Sequence, residues 1–127
     1  MKKLKFYKCN HCGNVVLKLV DKDVSVYCCG EEMEELTANT KEASLEKHLP
    51  VVSINGNVID VKVGSVAHPM EEVHYIGFIA LETENDYRVV SLTYGMSPEA
   101  KFLLTDSKPI AVYEYCNLHG LWKTELN

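Results

Sequence analysis

The chain has 127 residues, 46% of them hydrophobic, and a formal net charge of −5. That length holds one ordinary domain or two small ones. Net acidity without a dense Lys/Arg stripe argues against nucleic acid as a partner. The apolar run 76–81 is too short to span a membrane. Lys2 and Lys3 are followed by no apolar segment, so no signal peptide is read and the cytoplasm is the expected location.

Taken in chain order, residues 1–36 form a first unit with four of the five cysteines: Cys9, Cys12, Cys28 and Cys29. A unit below ~40 residues seldom folds on apolar burial alone and usually needs a metal or disulfides. In a cytosolic protein a tight cysteine cluster reads as metal binding rather than as disulfides. Segments 15–20 and 24–27 are β-prone and are expected to form hairpins around the cluster. A polar connector, 37–47, follows, where Asn39 and Glu42 are placed to cap one short helical turn.

From Pro50 onward the pattern is β. Candidate strands cover 51–54, 58–63, 74–81, 87–94, 101–104, 110–115 and 121–126, rich in Val, Ile, Tyr and Thr. Asn55-Gly56 is a hairpin turn signal, and 84–86 and 107–109 read as loops. About seven short strands in one small unit suggest an antiparallel sandwich of immunoglobulin-like architecture. The expected fold class is all-β, a small metal-bound β domain followed by that sandwich.

Cys9-x-x-Cys12-Gly13 is a metal knuckle: two intervening residues let both sulfurs turn toward one ion, and the glycine permits the tight turn. Cys28-Cys29-Gly30 completes four thiolates, which suit tetrahedral zinc or iron. Consecutive side chains diverge on an extended backbone. The chain must therefore bend at the adjacent pair, which favours a specialised iron site over an ordinary zinc ribbon. His11, inside a knuckle whose four thiols already complete the shell, reads as a solvent-facing loop residue.

The other four histidines, His48, His68, His74 and His119, lie in the second unit with its single cysteine, Cys116. Two residues separate Cys116 from His119 across an expected turn, a spacing that lets one ion take both. Spacing alone leaves open whether all five converge. If they do, four imidazoles and one thiolate exceed the four ligands at which structural zinc closes. They suit an octahedral iron with one position open.

Five motifs, in order, resemble the desulfoferrodoxin family: Tyr7-Lys8-Cys9-x-x-Cys12-Gly13-Asn14, Cys28-Cys29-Gly30, Glu46-Lys47-His48-x-Pro50, His68-Pro69-Met70-x-x-x-His74 and Cys116-Asn117-x-His119-Gly120-x-Trp122. The resemblance covers nearly the whole chain. It implies a desulforedoxin-like four-thiolate iron domain over 1–36 and an immunoglobulin-like superoxide reductase domain over 37–127. The second iron would be square-pyramidal, with His48, His68, His74 and His119 equatorial and Cys116 axial. Because all four N-terminal thiols are present, the chain is similar to the two-iron class and unlike neelaredoxin. Glu32 departs from the pattern, since relatives often carry proline there; an altered loop with intact ligands is expected.

The implied reaction is one-electron reduction of superoxide to hydrogen peroxide, with two protons consumed. By resemblance, Lys47 attracts the anion and orders a proton-delivering water, Glu46 can take the sixth position of ferric iron, and Cys116 favours product release. A small electron donor such as a rubredoxin and a homodimeric state are also implied, with no membrane and no nucleic acid involved. From the residues alone, a non-catalytic iron electron carrier and a zinc-stabilised interaction module stay open. An exposed Glu46–Lys47 pair is, by itself, an ordinary feature of a protein surface.

Overall fold

The computed structural model describes residues 4–126. The chain divides into two compact units, Met1–Thr37 and Ala38–Asn127.

In the first unit, strands β1 (Phe6–Lys8), β2 (Val15–Leu17) and β5 (Glu34–Glu35) form an antiparallel sheet in the order β2-β1-β5. A separate hairpin pairs β3 (Tyr27–Cys28) with β4 (Glu31–Glu32). β1, β4 and β5 were not among the expected strands. They are only two or three residues long, and β4 and β5 are all glutamate, so they carry no readable alternation. The buried core is small: Leu4, Phe6, Cys9 and Met33. So few buried side chains leave much of the unit's ordering to its thiol cluster.

The second unit is a sandwich. One sheet has the order β10 (Glu99–Leu103), β7 (Val58–Val63), β6 (Pro50–Asn55). The other runs β12 (Gly120–Glu125), β11 (Pro109–Cys116), β8 (Ile76–Thr83), β9 (Tyr87–Ser91). Every pairing is antiparallel. On β7 the side chains alternate, with Ile59, Val61 and Val63 fully buried. They pack with Phe102 of the same sheet and with Ile76, Ile79, Leu81, Val112 and Cys116 of the other. This three-plus-four arrangement is the immunoglobulin-like architecture expected from the strand count and turn signals.

The connector differs from expectation. The one helical turn, α1, is Leu45–His48, capped at Ser44 with no side-chain capping bond. Asn39 starts no helix. It has a left-handed backbone, φ 62, and stitches the connector to β12: its N–H donates to the Leu121 carbonyl, and its side chain bonds both the N–H and the carbonyl of Lys123. A side chain bonded to a neighbouring strand cannot also cap a helix.

Candidate metal centres

In the first unit the knuckle follows β1. Cys9 N–H donates to the Asn14 carbonyl, Gly13 N–H donates to the Cys9 carbonyl, and Gly13 sits at φ 85. Cys12 N–H points at Cys9 Sγ, 3.4 Å away. The second pair uses a two-residue hairpin turn. Cys28 ends β3, and Cys29 and Gly30 both have positive φ, 55 and 75. Two successive residues of positive φ match the strand-twisting turn of tight hairpins. This is the bend that the adjacent cysteines require. All four sulfurs lie within 4.8 Å of one another. Cys12 and Cys28 sulfurs are 3.6 Å apart and Cys28 and Cys29 sulfurs 4.0 Å. A tetrahedral ion with metal–sulfur bonds of ~2.3 Å has edges of roughly 3.8 Å.

Crowding splits the acidities of these thiols. The Cys12 N–H holds Cys9 down to about 6, while the Cys12 and Cys9 sulfurs push Cys29 up to about 12. Four close thiols share negative charge poorly, and a bound cation removes that conflict. Glu32, the departure from the family pattern, pairs with Tyr27 in β4 and accepts a bond from Ser25 Oγ. His11 is exposed, as expected.

In the second unit five loop and strand ends converge. His48 ends α1, His68 follows β7, His74 precedes β8, Cys116 ends β11 and His119 lies in the turn before β12. His48, His68, His74 and Cys116 present ligand atoms within 4.8 Å of one another. His119 joins them, its Nδ1 standing 3.1 Å from His48 Nε2 and 3.8 Å from Cys116 Sγ. The imidazoles form a closed ring. Centroid separations run 4.7 Å from His48 to His68, 4.6 Å from His68 to His74, 5.2 Å from His74 to His119 and 4.9 Å from His119 to His48. Neighbouring rings stand nearly perpendicular, between 76° and 89°. The register between β11 and β8 shifts at Cys116, and the residue's side chain is fully buried in the apolar cluster. The thiol is therefore shielded from water while its neighbouring turn carries His119.

The imidazoles of His48, His68 and His74 are prepared as neutral donors. His48 Nδ1 and His68 Nδ1 each donate to a backbone carbonyl, of Ser44 and Pro69, both at 2.7 Å, leaving Nε2 facing inward. Such bonds fix the tautomer and orient a ligating ring. Burial lowers the pKa of His48 and His74 and brings His68 to about 4. The charge of Lys47 also bears on both His48 and His74. His74 Nε2 is buried without a hydrogen-bond partner among the described residues. A nitrogen in that state needs a ligand. The donor set, four neutral imidazoles and one thiolate, fits iron with an open position better than four-coordinate zinc.

Two supporting side chains had no role assigned from sequence. Trp122 stacks on His48, with ring centroids 5.0 Å apart, and donates from Nε1 to the His119 carbonyl. Asn117 bridges toward the His74 loop. Both stand inside the Cys116 motif, but only folding reveals their partners. Lys47 is half-buried and Glu46 exposed, both on α1.

The desulfoferrodoxin family model matches residues 40–125. A desulfoferrodoxin of Syntrophotalea carbinolica is 48% identical, covering 97% of both chains. That of Nitratidesulfovibrio vulgaris is 45% identical over 94% of both. Among solved structures, the superoxide reductase from Treponema pallidum is 36% identical, with a TM-score of 0.82, covering 98% of this chain and all of its own. With its motifs in order, its sandwich fold and its family match across the second unit, the chain belongs to the desulfoferrodoxin family.

Proposed function

We propose that this protein is a superoxide reductase that protects against oxidative stress, with two iron ions as cofactors. The observation that carries the reading is the closed ring of four imidazoles around the buried thiol of Cys116. In this reading Cys9, Cys12, Cys28 and Cys29 hold one iron within a domain spanning 1–36. His48, His68, His74, His119 and Cys116 hold the other within 37–127. When bound, that second iron would supply one-electron reducing chemistry; superoxide plus one electron and two protons gives hydrogen peroxide.

The chain's own groups do the rest. Four neutral imidazoles and one thiolate would leave a ferrous ion held there with a net charge of about +1. Lys47 adds a cation at the mouth, attracting the anion and donating hydrogen bonds from Nζ to it or to the water that delivers protons. Its electrostatic effect on both His48 and His74 supports that location. Glu46, one residue before it, would act as an internal anion competing with superoxide for the metal. Cys116, enclosed by apolar side chains, would donate electron density to the metal it holds, where low polarity strengthens its effect.

Each turnover consumes one electron, so a reduced partner must return it; a small rubredoxin-like protein is the proposed donor. The proposed state is a homodimer, supported by the exposed Leu19, Val20, Val24 and Tyr27 of the small first unit. The cytoplasm is the proposed location, supported by five cysteines with no disulfide. Among the described residues no helix is long and apolar enough to cross a membrane.

Stopped-flow mixing of the reduced, iron-loaded protein with superoxide tests the function. Oxidation of the second centre should yield one peroxide per superoxide and no dioxygen. Dioxygen release would indicate dismutation, and failure of superoxide to oxidise the centre would leave a mere electron carrier. Cys28→Ser should alter the first iron's spectrum and spare the superoxide reaction of the pre-reduced second iron.

A further inference from the structure

Resting on the reading of an iron held by the histidine ring, we propose that Asn117 is a positioning residue that fixes His74 relative to the Cys116 sulfur. Asn117 directly follows Cys116 and grips the chain on both sides of His74. Its backbone N–H donates to the Tyr75 carbonyl at 3.2 Å. Its Oδ1 accepts from the Tyr75 N–H at 2.8 Å, and its Nδ2 donates to the Val73 carbonyl at 3.0 Å.

The need for such a grip is specific to His74. His48 and His68 are oriented through ring bonds to the Ser44 and Pro69 carbonyls. His119 has its own carbonyl held by Trp122 Nε1. The backbone of His74 bonds Glu71, three residues back in the same loop, and its Nε2 has no partner among the described residues. Held only from within a loop, the ring would wander with that loop. Asn117 ties the flanking residues 73 and 75 to the strand end that carries the thiol. The task requires an acceptor and a donor on one short side chain, which an amide has and a carboxylate lacks. Ligand and support thus sit side by side in the sequence, and one strand end sets two positions of the shell.

Two variants in the full-length, iron-loaded protein test this. Asn117→Asp keeps the size and the acceptor for Tyr75 but loses the donor to Val73. Asn117→Ala loses both side-chain bonds and keeps the backbone one. Release of each iron to a chelator is followed, with the thiolate-to-iron absorption and the thermal unfolding of the iron-free protein alongside. Loss of an outer partner of a metal ligand typically weakens binding 10–100-fold. The second iron should therefore leave about 10–100-fold faster in the alanine variant, and by a smaller factor in the aspartate variant. Its absorption band should shift while the four-thiolate iron is released at the parent rate. If Asn117→Ala does not fold, Asn117→Asp decides by the same readouts. A lowered unfolding midpoint with unchanged iron release and an unchanged band would overturn the proposal, leaving Asn117 an ordinary loop staple. A parent protein that binds iron yet does not react with superoxide would defeat the functional reading while leaving the release comparison intact.

Discussion

Gly64→Ala is expected to damage the second metal centre without touching a ligand. A Cβ at Gly64 would stand 2.5 Å from the Glu46 carbonyl oxygen, 3.0 Å from that of Leu49 and 3.1 Å from the Lys47 carbonyl carbon. All three are backbone atoms of α1 or its cap, so no side-chain rotation relieves the clash. Ordinary contact begins at 3.4 Å, so α1 must withdraw by about 0.9 Å, a shift of the kind that overpacking forces on backbones. The same movement lengthens the bonds that Val66 N–H and Ser65 Oγ donate to the Glu46 carbonyl, now 3.0 and 3.2 Å. Overpacking costs about 1–3 kcal/mol. In a domain of roughly a hundred residues, that lowers the unfolding midpoint by about 4–24 °C. Because α1 carries His48 and Lys47, iron retention should fall with it. Calorimetry of the iron-free protein and chelator competition on the loaded protein give the two numbers. A midpoint within about 2 °C of the parent, less than 1 kcal/mol is worth at this size, together with unchanged iron retention, would refute the close-approach argument.

Cys116→Ser should remove the sulfur-to-iron absorption of the second centre and most of the reductase activity while the four-thiolate spectrum persists; full activity in an iron-containing variant would sink the ligand role of Cys116. Lys47→Ala should lower the second-order rate with superoxide by roughly tenfold at low salt. Raising ionic strength toward ~0.15 M, where the Debye length is ~8 Å, should slow the parent more than the variant in stopped-flow runs. Glu114 is fully buried, neither carboxylate oxygen has a partner among the described residues, and burial raises its pKa well above the ordinary range. A folded pKa above the unfolded one means stability is fully present below the unfolded value of ~4.5 and lost as pH rises toward the folded one. Urea midpoints of iron-free Glu114→Gln should therefore gain on the parent as pH rises through that window, by up to about 1.4 kcal/mol per pH unit; a pH-independent difference would mean the carboxyl does not titrate there.

Much of the architecture was legible because its causes are local. Strand β7 was read at its observed limits, since alternating Ile59, Val61 and Val63 carry a period of two and Asn55-Gly56 marks the turn before it. The thiol pairs were legible from spacing, and so was the bend at Cys28-Cys29. The short charged strands β4 and β5 were not, because two residues hold no period. Nor was the place of α1, since Asn39 found its hydrogen bonds on β12, 84 positions away, where no local rule could look. The sequence by itself determined the donor types, one ligand set per unit and the class of metal they suit. Only the tertiary structure decided that His48, His68, His74 and His119 close into a ring about Cys116. It also decided which carbonyls orient His48 and His68 and that Asn117 and Trp122 support the ring. The ring and the Asn117 grip join residues dozens of positions apart, and they exist only once two sheets have packed and brought their loop ends to one place.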